Sequence, residues 1–203
     1  MKKYAVLHEP GDIVTLAGTR FVVLDVERRG SLPDSLSLLA LESVSDSKFG
    51  SSNNYAESDL KKAVDKWLED MDKKGLDNAK LIPREIDLTT LDGSGCYGKL
   101  SVKAAPLTLD EARKYADIIP NAKHWCWLAT GWSGLSKLDG DLALYINTNG
   151  GWGNDLCSYS HGIRPALKVP SILFEDSEAG LDLSKIPTDD LLQEIHRRLA
   201  EKA

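Results

Sequence analysis

Leu60, Val64, Trp67, Leu68 and Met71 recur at helical spacing between Ser58 and Gly75, with Lys and Asp residues on the other face, and no other feature constrains the fold as much. Ser58 is placed to cap the first turn, and Gly75 to end the last. Trp67 lies on the apolar stripe and is assigned to the core. Ahead of this helix come three short β-branched or leucine-rich runs, Ile13 to Leu16, Phe21 to Val26 and Leu36 to Leu41. Gly18 and the Gly30–Pro33 stretch separate them, which reads as an antiparallel meander. Strands first and a helix after them is the element order of an α+β domain.

Beyond the helix, the stretch from Ala79 to Lys103 mixes short extended pieces with Gly93, Gly95 and Gly98. This is loop chemistry, and no glycine pattern that cradles phosphate is present. "TLDEARKYADIIP" predicts a second, short helix with Thr108 as N-cap, Glu111 completing a capping box and Pro120 just past its end. "HWCWLAT" then places Trp125 and Trp127 around a buried-looking strand. At least one of the two belongs to the core, and Trp127 is assigned there. "DLALYINTNGG" alternates like a half-buried strand running into an Asn-Gly turn, with Leu144 and Ile146 on one face and Tyr145 and Asn147 on the other. "GIRPALKV" reads as one further alternating strand, with Arg164 structural and paired with a carboxylate or with carbonyls beneath the loop.

The 203 residues suffice for one sizeable core and a short appendage. The expected division is a domain over 3–170, a linker over 171–186 and an amphipathic helix over 187–203, with Leu191, Leu192, Ile195 and Leu199 as its stripe. That stripe needs a docking surface, on this domain or on another chain, so oligomer or assembly contacts are assigned to it. A formal charge of −6 argues against a nucleic-acid partner, which calls for clustered cations. There is no apolar run long enough to span a bilayer and no secretory signal, so the expectation is a cytoplasmic chain or one built into a virion. Cys96, Cys126 and Cys157 lack the spacing of a zinc knuckle or a disulfide framework, although a Cys126–Cys157 bridge stays open.

The succession "PGDIVTLAGTRFVVLD", "SSNNYAESDLKKAVDKWL", "LTLDEARKYADIIP", "HWCWLAT" and "ALYINTNGGW…GIRPAL" resembles a family of uncharacterised domains found in gut Firmicutes, their prophages and their mobile elements. That family is similar to C-type-lectin-like folds, including formylglycine-generating enzymes and the variable proteins of diversity-generating retroelements. The resemblance implies two helices with small twisted antiparallel sheets and much loop. It also implies a recognition module whose last strands present a cup to a protein or glycan ligand.

The cup residues it implies are Thr130, Trp132, Ser133, Tyr145, Asn147, Asn149, Trp152, Asn154, Asp155, Ser158, Tyr159, Ser160 and His161. Aromatic rings supply contact area at little entropic cost, and small polar groups supply hydrogen bonds. Trp132 and Trp152 sit among glycines and polar residues, so both are expected to be exposed. Two sharper readings fit less well. "WGND" is one residue off the Trp-Asn-Asp of calcium lectins, and too few oxygen ligands accompany it. The closely paired cysteines of a copper-dependent formylglycine-generating site are absent. No metal, cofactor or catalytic residue is therefore assigned, and the bland alternatives are a solvated hairpin or a cytosolic interaction domain without a dedicated cup.

Overall fold

The protein is described by a computed structural model covering residues 8–30, 32–134 and 140–174, together with Thr188, Asp189 and Leu192. The meander forms as expected: β1 (Ile13–Leu16), β2 (Thr19–Arg29) and β3 (Leu32–Ala40) pair antiparallel in sequence order. Gly18 makes the first turn with φ +79°, a conformation that costs a side-chain-bearing residue more than glycine. In β2 the run Phe21, Val22, Val23 and Leu24 is buried at every position. Both faces of this sheet are therefore covered, as a continuous apolar run rather than an alternating one requires.

Two clusters do the covering. Phe21, Val23, Leu36 and Leu38 point into one, which also holds Leu60, Val64 and Met71 of α1 (Asp59–Lys73). Val22, Leu24 and Leu39 point into the other, with Leu109 and Ala112 of α2 (Leu109–Lys114). The Ser58 side chain accepts from the Lys61 amide at 2.9 Å, and Gly75 follows the helix with φ +98°. Trp67 is only partly buried but packs on the first cluster, its ring 6.4 Å from that of Phe21.

The capping box of α2 is present in both directions, the Thr108 amide donating to Glu111 and the Glu111 amide to the Thr108 hydroxyl. The helix ends five residues short of the expected stop before Pro120. The Ile118 and Ile119 amides both return to the Tyr115 carbonyl, which winds the chain into turns that set the two isoleucines against the second cluster.

The sheets are larger than the small antiparallel ones expected. The first has five strands in the order β1-β2-β3-β12-β7, where β7 is Ala104–Ala105 and β12 is Ala166–Pro170. The second runs β10-β9-β8-β11-β4, from β10 (Trp152–Leu156) through β9 (Leu142–Ile146), β8 (Cys126–Gly131) and β11 (Ser160–Ile163) to β4 (Ser45–Lys48). Its β8–β11 pairing is parallel. A separate hairpin joins β5 (Arg84–Asp87) to β6 (Lys99–Val102) across the glycine loop.

"GIRPALKV" is thus two strands in two sheets. Proline has no amide hydrogen to donate and disfavours helical backbone before it, so Arg164-Pro165 makes the corner between them. Arg164 is 4% exposed, and its Nε donates to the Ala40 carbonyl at 2.9 Å and its Nη1 to the Pro120 carbonyl at 3.1 Å. Of the two kinds of partner anticipated for Arg164, the structure supplies carbonyls. Ser171–Phe174, the start of the expected linker, forms a 3₁₀ turn, with Leu173 against the first cluster. Apart from Thr188, Asp189 and Leu192, which are helical, the helix expected over 187–203 lies outside the described residues.

Candidate functional site

The β9–β10 hairpin organises the candidate surface. Trp152 pairs with Ile146, Gly153 with Tyr145, Asn154 with Leu144 and Asp155 with Ala143. Its turn is held by two asparagines: Asn147 Oδ1 accepts from the Asn149 amide at 3.0 Å, and Asn149 Oδ1 accepts from the Gly151 amide at 3.1 Å. Asn147 and Asn149 therefore shape the turn. "WGNDL" is a strand here rather than a polar turn. It carries no apolar alternation, and among the described residues it is an edge strand, bonded to β9.

Successive side chains on a strand point to opposite faces, so the register divides the expected cup in two. Tyr145, Gly153 and Asp155 share one face, while Leu144, Ile146, Trp152 and Asn154 share the other. The oxygens of Asn154 and Asp155 consequently do not converge, which removes the geometry of the calcium reading. Among the described residues no three His, Cys, Asp or Glu side chains are grouped so as to hold an ion.

On the first face the Tyr145 ring stacks on Trp125, with centroids 4.8 Å apart and planes 3° from parallel. Gly153 lies under the tyrosine, where an added Cβ would sit 2.9 Å from the hydroxyl oxygen, so the ring's position depends on glycine there. Asp155 Oδ2 is 3.0 Å from His161 Nε2. The imidazole centroid lies 4.3 Å from Trp127, 5.3 Å from Tyr145 and 5.7 Å from Trp125. Trp127 is buried, its Nε1 donating to the Ser47 carbonyl at 2.9 Å. Trp125 is 44% exposed and Tyr159, in the turn after β10, is 54% exposed, with Ser158 and Ser160 exposed on either side of it. The result is a half-exposed aromatic stack anchored on a buried tryptophan, with an imidazole–carboxylate pair at its side.

On the second face Trp152, 48% exposed, carries the Arg113 guanidinium 4.8 Å from its ring centroid. The two close one side of a groove of about 320 Å³ between α2 and the hairpin, floored by Leu128 and Ile146.

Three of the expected cup residues are elsewhere. Thr130 and Ser133 are buried: the Thr130 hydroxyl accepts from the Leu109 amide at 2.9 Å, and the Ser133 hydroxyl donates to Asp92 at 2.6 Å. Hydrogen bonds from Ser133 and then Thr90 hold the Asp92 carboxyl far below the usual carboxylate range. Trp132 is half-buried, its amide bonded to the Leu142 carbonyl and its ring packed on the second cluster. Its glycine neighbours mark close backbone approach rather than a loop: a Cβ on Gly131 would meet Asn53 at 2.9 Å. Trp125 was missed as a surface residue. Its two-residue spacing from Trp127 does put both on one face of a strand, and Trp125 extends past the end of β8 into solvent.

All three cysteines are free, and Cys126 and Cys157 are buried apart. Cys157 belongs to the first cluster, whereas Cys126 packs beside Leu128 and Arg164 on the other side of the second sheet. The open Cys126–Cys157 bridge is therefore not made. Burial pushes the Cys126 thiol up to about 11 and the Cys157 thiol up to about 12. Only thiolate reacts readily, so a thiol reagent at pH 8 is expected to label exposed Cys96 in native protein and the other two only on unfolding. Counting labelled thiols by mass spectrometry checks this, and three native labels would contradict it.

Comparison with protein-family models, with curated proteins and with solved structures finds no match to this chain.

Proposed function

We propose that this domain is a recognition module with a C-type-lectin-like fold, whose second sheet presents Trp125, Tyr145, Asp155, Tyr159 and His161 to a protein or glycan ligand. The observation that carries the reading is the Trp125–Tyr145 stack. Each ring fixes the other, so contact area is offered with little conformational entropy left to lose on binding. The adjacent Asp155–His161 pair adds hydrogen-bonding groups that are already oriented. A solvated hairpin has no physical need for a half-exposed tryptophan stacked in this way, and exposed aromatics of this kind mark interaction sites.

The resemblance adds a setting to this reading: a phage, prophage or mobile element, with the module either displayed on a particle or acting inside the cell. A reverse transcriptase gene beside a near-copy of the segment coding for residues 125–165 would place it among diversified binding proteins.

Glycan-array screening and affinity capture from surface extracts provide ligands to measure. Truncation of a central interface aromatic typically costs about 2 kcal/mol, or roughly 30-fold in affinity. Trp125→Ala and Tyr159→Ala are each expected to lose binding on that scale while leaving the urea midpoint of unfolding nearly unchanged. Wild-type affinity in both variants would move the site off this face.

A further inference from the structure

The two oxygens of Asp155 have separate partners. Oδ1 accepts from the Leu156 amide at 2.8 Å, and Oδ2 faces Nε2 of His161 at 3.0 Å. A carboxylate can only accept, so in the neutral imidazole the proton sits on Nε2 and the lone pair on Nδ1. Trp127, Tyr145 and Trp125 surround the imidazole, with centroids 4.3, 5.3 and 5.7 Å away, and hold the ring in that orientation. Among the described residues Nδ1 has no partner, and it is open to solvent. The surface therefore offers a fixed acceptor nitrogen beside a fixed indole.

Such an acceptor selects a donor, and its surroundings select what carries that donor. Among the described residues the large apolar side chains exposed here are Trp125 and Tyr159, next to exposed Ser158 and Ser160. A stable protein interface buries about 800 Å² per partner around an apolar core, which two rings among hydroxyls do not furnish. A sugar, polar at its rim and apolar on its C–H faces, fits better. Hydroxyls turn to donate or accept and gain little from a fixed tautomer, whereas an amide N–H can only donate. Tyr145 covers one face of the Trp125 ring and leaves the other to receive a small apolar group.

We propose that the recognition surface described above binds an N-acetylated amino sugar, its amide N–H donating to Nδ1 of His161 and its acetyl methyl and ring C–H groups resting against Trp125. This inference rests on the recognition reading and narrows it to one ligand chemistry. His161 touches the ligand. Asp155 is a positioning residue that acts through the imidazole by fixing its tautomer.

The Leu156 amide makes that role testable. In Asp155→Asn the same amide still takes Oδ1, which leaves the new NH₂ facing Nε2. An NH₂ can only donate, so the imidazole proton moves to Nδ1 and the acceptor offered to the ligand becomes a donor.

The probe is methyl N-acetyl-β-glucosaminide, titrated into the whole ¹⁵N-labelled chain at about pH 8, where an ordinary histidine is neutral. Imidazole ¹H–¹⁵N couplings are expected to show the Nε2–H tautomer for His161, assigned by its loss in His161→Gln, and the Nδ1–H tautomer in Asp155→Asn. The probe is expected to bind about tenfold or more weakly to Asp155→Asn, where two donors meet. Methyl β-glucoside, which lacks the N–H and the methyl, is expected to bind the wild-type chain at least about tenfold more weakly than the probe.

An Nδ1–H tautomer in the wild-type chain, equal binding of the two glycosides, or no binding of the probe overturns the inference. A ligand that depends on Trp125 but binds Asp155→Asn as well as wild type overturns it too, and leaves the recognition proposal standing. So does a protein partner that depends on Trp125 while both glycosides are silent. Probe binding that is indifferent to Trp125→Ala removes both.

Discussion

Trp127→Ala is expected to destabilise the domain by about 4 kcal/mol or more, within the ~3–5 kcal/mol range for truncating a buried large aromatic. The indole is 1% exposed, stands edge-on to Phe49 at 5.6 Å and lies 4.3 Å from His161, so its loss opens a cavity between the first cluster and the surface aromatics. It also strips the Ser47 carbonyl of its indole donor and loosens β4 from the rest of the second sheet. Small domains have only about 5–15 kcal/mol to lose, so urea unfolding should show a midpoint close to collapse. Trp127→Phe keeps most of the packing and forfeits mainly the hydrogen bond, for about 1–2 kcal/mol. If alanine and phenylalanine cost the same, the ring's volume is not what matters at this position.

The second large effect is expected at Asn53, which is fully buried. Its Nδ2 donates to the carbonyls of Ser133 at 2.9 Å and Leu142 at 3.0 Å, and its Oδ1 accepts from the Tyr97 hydroxyl at 2.6 Å. One side chain thus ties the glycine loop before β6 to the end of β8 and the start of β9. Asn53→Ala removes a donor from the Ser133 and Leu142 carbonyls and the acceptor of the Tyr97 hydroxyl. The Leu142 carbonyl keeps the Trp132 amide, so the buried Ser133 carbonyl and the half-buried Tyr97 hydroxyl carry most of the cost, and a total loss of about 2–4 kcal/mol is expected. Asn53→Asp should fare no better, because it removes the two donations and buries a charge. The neighbouring Asn54 is the control: its side chain accepts from the Ala56 amide at the start of a 3₁₀ turn, and Asn54→Ala should cost about 1 kcal/mol or less. Similar losses at the two positions would mean that Asn53 is not the tie the geometry makes it.

Local chemistry carried much of the fold into the sequence. A cap, a stripe and a stop residue mark α1; a capping box starts α2; turn glycines divide the meander. Each of these depends on residues a few positions apart. What could not be read depends on distant partners. β4 is "SDSK", without an apolar pattern, and is a strand because β11 lies beside it. Asn53 looks like any loop asparagine until Tyr97, Ser133 and Leu142 converge on it. The cup was legible as a set of residue types and illegible as a surface: only the register of β10 against β9 reveals that Tyr145 and Trp152 face opposite ways. The same holds for Trp132, whose glycine-rich setting reads as exposure and proves to be tight packing.

The central position of β12 bears on how the chain reaches this structure. β3 pairs on one side with β2 and on the other with β12, about 130 residues further along. At synthesis rates of ~5–20 residues per second, that edge waits roughly 7–25 s for its neighbour, exposing Leu36, Leu38 and Leu39 to whatever else is nearby. A ribosome stalled anywhere between the two strands therefore carries a half-built sheet with a sticky border. Sealing that border falls to a segment translated long after it, and nascent chains of graded length should pass abruptly from protease-sensitive to resistant as residues 166–170 clear the exit tunnel.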